Sequence, residues 1–129
     1  KDGKDFSDAT FAPETQFSGQ SILGVICHEY GHQLGLLDLY NTVTGNSVVG
    51  GWSLMDQGTW LNDAANPAHI DAWSKQFLGW AVPVEIKAGE SGSRTMLQAE
   101  LEKTAFYRMS IDISDVGGTN EYFLLERRT

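Results

Sequence analysis

Cysteine is nearly missing from this chain. Cys27 is the only one among 129 residues, so no intrachain disulfide can form and cysteine pairing says nothing about redox compartment. Positive charge is scarce as well: 9 Lys and Arg stand against 17 Asp and Glu, a formal net charge of −8. A surface of that sign repels phosphates rather than neutralising them, so nucleic acid is not an expected partner. No apolar run approaches the roughly 20 residues that cross a bilayer, and no membrane span is expected. The chain opens on Lys1 without a charged-then-apolar signal segment, so any signal peptide would lie upstream or have been removed. Histidine is rare too, with three in all, yet two of them stand four residues apart.

Those two open the stretch His28-Glu29-Tyr30-Gly31-His32-Gln33-Leu34-Gly35-Leu36-Leu37-Asp38. On an α-helix, residues four apart share a face about 6 Å apart along the axis. His28 and His32 can therefore reach one zinc ion at about 2.0–2.1 Å from each imidazole nitrogen. Glu29, one residue on, leans over the open coordination position, where it can take a proton from water whose pKa the metal lowers towards about 7. The five-residue pattern is a metalloprotease motif, although a His-Glu pair followed by a His also arises in unrelated helices. Gly35 adds weight to it: a helix can end there on a left-handed residue that only glycine adopts without strain. After such a turn Asp38 can return to the metal as a third ligand, leaving the fourth position to water. Read alone, Asp38 is also an ordinary solvated loop carboxylate.

This long motif resembles the metzincins, which have a glycine three residues after the second histidine, a third ligand three further on, and a methionine turn downstream. Asp38 matches the aspartate variant of that third ligand. Gly50-Gly51-Trp52-Ser53-Leu54-Met55-Asp56 is similar to the methionine turn, with Met55 beneath the zinc site; a methionine filling irregular core space is the other reading. Together with Gly35-Leu36-Leu37-Asp38-Leu39-Tyr40, Pro67-Ala68-His69, Ala72-Trp73-Ser74-Lys75, Leu78-Gly79-Trp80 and Tyr122-Phe123-Leu124-Leu125-Glu126, these segments resemble the immune inhibitor A family of secreted bacterial metalloproteases. The resemblance implies a zinc endopeptidase acting on protein or peptide substrates, made as a precursor and exported, with β-rich modules after the catalytic domain. Two departures stand out. Leu37 replaces a usual proline, and no tyrosine lies just beyond Met55, so a metzincin-style tyrosine switch does not carry over.

A length of 129 residues suits one modest domain and is short for a whole peptidase of this kind. The expected fold class is α+β: the C-terminal part of a metzincin-like catalytic domain over residues 1–81, with zinc helix, methionine turn and second helix, then the start of a β-rich region over 82–129. The zinc helix is expected from about Ser18 to Leu34, with Ile22, Val25 and Ile26 on its apolar faces. Phe6, Phe11 and Phe17 are candidate anchors in the polar approach. Asn66-Pro67 predicts the start of the second helix and Gly79 its end, with Ile70, Trp73, Phe77 and Leu78 at helical spacing. Residues 82–86, 95–98, 106–111 and 122–125 read as strands, and Gly117-Gly118-Thr119-Asn120 as a turn.

Other residues stay open between structure and function. His69 either caps and packs or lines the cleft. Cys27 points about 100° from His28 and reads as a small buried residue rather than a ligand. Acidic loop residues such as Asp56 and Asp63 leave room for calcium beside zinc. Oligomeric state has no signature in the sequence. The leading reading is a zinc endopeptidase with His28, His32 and Asp38 on the metal and Glu29 as general base. A β-rich binding module using Tyr107, Tyr122 and Phe123, and a zinc-binding scaffold without catalytic competence, are the alternatives.

Overall fold

A computed structural model describes residues 9–87, 89–102, 106–111 and 121–128. Among them lie two helices, two 3-10 turns and one three-stranded sheet, a small α+β arrangement in two units, Lys1–Asp71 and Ala72–Thr129.

In the first unit, helix α1 spans Leu23–Gln33. It starts five residues later than Ser18, because Gln20 N–H closes a turn on the Phe17 carbonyl at 2.9 Å. Helix starts leave N–H groups without partners, and here a remote loop supplies them: Ser21 N–H donates to the Asp63 carbonyl and Gly24 N–H to that of Ala64. That loop turns left-handed at Asn62, Asp63 and Ala64, with φ of 50°, 54° and 61°, a conformation costing non-glycine residues roughly 1–2 kcal/mol each.

The buried face of α1 is Gly24, His28 and Gly31, not the aliphatic one expected from Ile22, Val25 and Ile26. Ile26 and Leu23 are exposed instead. The reason is close approach. A Cβ at position 24 would collide with the Thr59 carbonyl, and one at 31 would lie 2.7 Å from Met55 Sδ. The helix therefore settles against the methionine segment on its smallest side chains, with His28 drawn in between. Past the helix, Gly35 adopts φ +95° and Leu36 N–H returns to the Gly31 carbonyl at 3.0 Å, which turns the chain back toward the helix.

From Tyr40 the backbone runs to a bridge with Ser47. Between them the Asn41 side chain accepts from the N–H groups of Val43 and Thr44. The 3-10 turns Gly50–Trp52 and Gln57–Trp60 follow. Helix α2, Ala72–Phe77, begins later than Asn66-Pro67 predicted. Tertiary bonds claim the intervening residues: Ala68 N–H donates to the Gly58 carbonyl at 2.8 Å, and Asp71 accepts from the Ser53 hydroxyl at 2.7 Å.

In the second unit, strands β1 (Val84–Ile86), β2 (Phe106–Ser110) and β3 (Tyr122–Glu126) form a sheet in the order β1-β2-β3. β1 and β2 run parallel, β2 and β3 antiparallel. Phe106 is buried against Ala72, Ala81 and Leu124, and the Lys75 ammonium donates to the Ala99 carbonyl at 2.7 Å. The strand expected at 95–98 is not formed; only Gln98 makes a single bridge, to Arg127. Phe11 and Phe17 are exposed rather than anchoring. Phe6 and the Gly117–Asn120 turn lie outside the described residues.

Candidate metal centre

One turn of helix separates His28 from His32, and the Gly35 bend returns Asp38 to both. His28 Nε2 lies 3.1 Å from Asp38 Oδ1, and His32 Nε2 lies 3.3 Å from the same oxygen. The three donor atoms fall within 4.8 Å of one another, the one group of this kind among the described residues. Each imidazole is oriented from behind. His28 Nδ1 is 2.9 Å from the Leu54 carbonyl and His32 Nδ1 is 2.9 Å from that of Leu36. A carbonyl oxygen can only accept, so each Nδ1 carries a proton, and in the neutral ring each Nε2 then presents a lone pair.

In that tautomer two Nε2 lone pairs face one carboxylate oxygen, a contact that a proton on Nε2 or a bound dication would relieve. Protonating both rings instead would set two cations side by side, their centroids 4.8 Å apart. A dication answers both problems, and the two observed separations match the roughly 3.3 Å edge of a tetrahedron with metal bonds of about 2.0–2.1 Å. Two imidazoles and one carboxylate are a donor set that suits zinc. The residues present therefore fit the metal that the motif implies.

A family model described as Immune inhibitor A peptidase M6, catalytic domain, matches residues 4–83. The chain belongs to this immune inhibitor A peptidase family. Pre-pro-metalloprotease PrtV of Vibrio cholerae serotype O1 is 46% identical over 59 residues, which is 43% of this chain and 6% of that protein. Immune inhibitor A of Bacillus thuringiensis subsp. alesti is 37% identical over 89 residues, 61% of this chain and 12% of that protein. The matched stretches thus span no more than 12% of the length of these relatives. No solved structure matches the chain.

Around its candidate ligands this M6 chain places residues that the motif did not reveal. Thr59 is buried; its hydroxyl donates to the Leu54 carbonyl and its oxygen stands 3.1 Å from His28 Nδ1, so it shares in holding that ring. Tyr40 stacks on His28 with centroids 6.5 Å apart and planes at 26°. Its hydroxyl is held above the usual phenol range by burial, then by the charge of Asp38 and the hydrogen bond it makes to that carboxylate, with Glu29 and Asp56 adding to the effect. Thr59 had no sequence signal. Tyr40 had one, since it closes the Gly35–Tyr40 segment that carries the family resemblance.

Met55 is fully buried against Gly31, and Ser53 shapes the turn before it by accepting from Met55 N–H at 3.0 Å. Glu29 is outside the donor group and partly buried. It lines an open cavity of about 210 Å³ together with His28, Tyr40, Thr59, Gln57 and Trp60. Asp56 lines it too, but in a different role. Its Oδ2 accepts from the Ser47 hydroxyl and from the N–H groups of Val48, Val49 and Gly50, and its Oδ1 from Gln57 N–H. Burial alone would raise its pKa, yet these bonds together hold it below the usual carboxylate value. With four N–H and O–H donors on Oδ2, Asp56 serves as a loop anchor. Asp63 is exposed, and its part in the fold is the carbonyl at the start of α1. His69 is exposed, with Nδ1 3.1 Å from the Ile70 carbonyl, and it is not one of the converging donors. Cys27 is half-buried, less enclosed than expected.

Proposed function

We propose that this chain is part of a zinc endopeptidase of metzincin type that hydrolyses peptide bonds in protein substrates. The observation that carries the reading is the convergence of His28 Nε2, His32 Nε2 and Asp38 Oδ1, with both Nδ1 protons committed to carbonyls. A zinc ion held there would supply Lewis acidity, bringing the pKa of water to about 7 and polarising a carbonyl. Glu29 faces the cavity beside His28, where its carboxylate accepts a proton from the attacking water and returns one to the departing amine nitrogen. Water and peptide thereby become a carboxylic acid and an amine.

Residues 1–81 in this proposal belong to the catalytic domain and residues 82–129 begin a β-rich region. Secretion is part of the same reading, supported by the family and by a relative whose name describes a pre-pro form. Metal analysis of the purified chain tests the central point: one zinc per molecule is expected, lost in His28→Ala. Full zinc retention in that variant would overturn the assignment.

A further inference from the structure

His28 is held more closely than His32. Nδ1–H of His32 has the Leu36 carbonyl as acceptor, whereas Nδ1–H of His28 faces two acceptors, the Leu54 carbonyl at 2.9 Å and the Thr59 hydroxyl oxygen at 3.1 Å. Proton counting fixes the roles around that nitrogen. A threonine hydroxyl has one proton to give, and that of Thr59 goes to the Leu54 carbonyl, so its oxygen meets Nδ1 as an acceptor. Leu54 and Thr59 thus close a triangle of hydrogen bonds with the ring, and a ring gripped by two acceptors turns less freely than one gripped by a single acceptor. Thr59 is itself well seated. Its side chain is buried, it lies in the 3-10 turn Gln57–Trp60, and its N–H donates to the Asp56 carbonyl at 3.2 Å. Its own carbonyl occupies the space that a Cβ on Gly24 would need. Gly24 and His28 are four residues apart on one face of α1, so this single residue meets the helix twice, with its backbone at Gly24 and its hydroxyl at His28.

We propose that Thr59 is a positioning residue of the candidate metal centre: its hydroxyl accepts from His28 Nδ1–H and fixes the ring so that Nε2 faces Asp38, while its backbone seats α1 at Gly24. The inference rests on the proposed metal site. Under it the turn after Met55 sets the direction of a ligand that the helix alone leaves free to rotate.

The test is zinc affinity measured on the full chain by competition with a chelating dye, for wild type, Thr59→Val, Thr59→Ser and His28→Ala. Thr59→Val keeps the shape and deletes the hydroxyl. Loss of an outer hydrogen bond to a metal ligand weakens metal binding by about 10- to 100-fold, and the lower end is expected here because the Leu54 carbonyl still accepts from Nδ1–H. Thr59→Ser keeps the hydroxyl and loses a buried methyl, so it should unfold at a lower temperature than Thr59→Val yet bind zinc within about threefold of wild type, well short of that loss. This crossed order separates positioning from packing, since a purely structural role would make affinity follow stability. Cobalt(II) in place of zinc gives a second readout, the paramagnetically shifted Nδ1–H resonances of the ligand histidines: that of His28 should move in Thr59→Val and that of His32 should not.

Wild-type binding that is lost in His28→Ala but changes less than about twofold in Thr59→Val, against the 10-fold or more expected, would overturn this inference and leave the metal site standing. Thr59→Ser binding as weakly as Thr59→Val would also overturn it, because the methyl and not the hydroxyl would then matter. Unchanged affinity with lost peptide turnover would place the hydroxyl on the substrate side of the cavity it lines and end the positioning role. A wild-type chain that binds no zinc would overturn the metal site and this inference together.

Discussion

Glu29 and His28 are adjacent in sequence and line the same cavity, yet only His28 belongs to the converging donor set. Their side chains leave the helix about 100° apart, which in the proposed reading is enough to separate a ligand from a base. Glu29→Gln keeps the shape and one acceptor oxygen but removes the proton acceptor. In the parent protein it should retain zinc and lose peptide hydrolysis by at least about 100-fold, the lower end of general acid–base contributions. Turnover near wild type, measured on casein with zinc content verified, would mean that another group takes the proton.

At the level of elements, the site depends on small side chains and on one buried carboxylate. Gly24 and Gly31 let α1 approach Thr59 and Met55 closely, and that approach brings His28 to the Leu54 carbonyl. Asp56 organises the Ser47–Gly50 segment opposite. Its folded pKa lies below the ordinary value, so its contribution is present above the unfolded carboxylate value and is lost as pH falls through the folded one. Asp56→Asn replaces one oxygen by an N–H donor facing other donors, and should cost about 2–3 kcal/mol near neutral pH. The gap between wild type and variant should shrink below about pH 4. Urea titrations followed by tryptophan fluorescence, Trp52 and Trp60 being the reporters nearest the loop, check both the size and the pH trend; a gap that widens in acid would contradict the assignment.

For the whole molecule, the candidate centre and its supports, from His28 to Thr59, all belong to the first unit, while the packed apolar cluster around Phe106 belongs to the second. Phe106 is 1% exposed. Truncating a buried phenylalanine costs about 3–5 kcal/mol, so Phe106→Ala should lower the unfolding midpoint strongly. Zinc content of the folded fraction should remain one per chain. Loss of zinc from protein that is still folded would show that the centre needs the second unit.

What could be read along the chain is what local geometry dictates. The four-residue spacing of His28 and His32 is a property of any helix, the left-handed turn at Gly35 is one that glycine alone adopts freely, and three further residues suffice to bring Asp38 back. The zinc-peptidase motif was legible for the same reason, because it is contiguous, and the short segments that follow it narrowed the resemblance to the family. Tertiary structure decided everything that depends on partners far away in sequence. His28 is oriented by a carbonyl 26 residues on and by a threonine 31 residues on. α1 buries its glycines and leaves Leu23 and Ile26 exposed because atoms elsewhere come too close for a Cβ. α2 starts at Ala72 because the bonds of Ala68 and Asp71 to the turn region outweigh a good local start signal at Asn66-Pro67. The 95–98 segment has strand-like alternation and makes only one bridge. Periodicity reports which faces are apolar; it does not report which neighbour arrives, and a buried histidine or an unmade strand is settled by the neighbour.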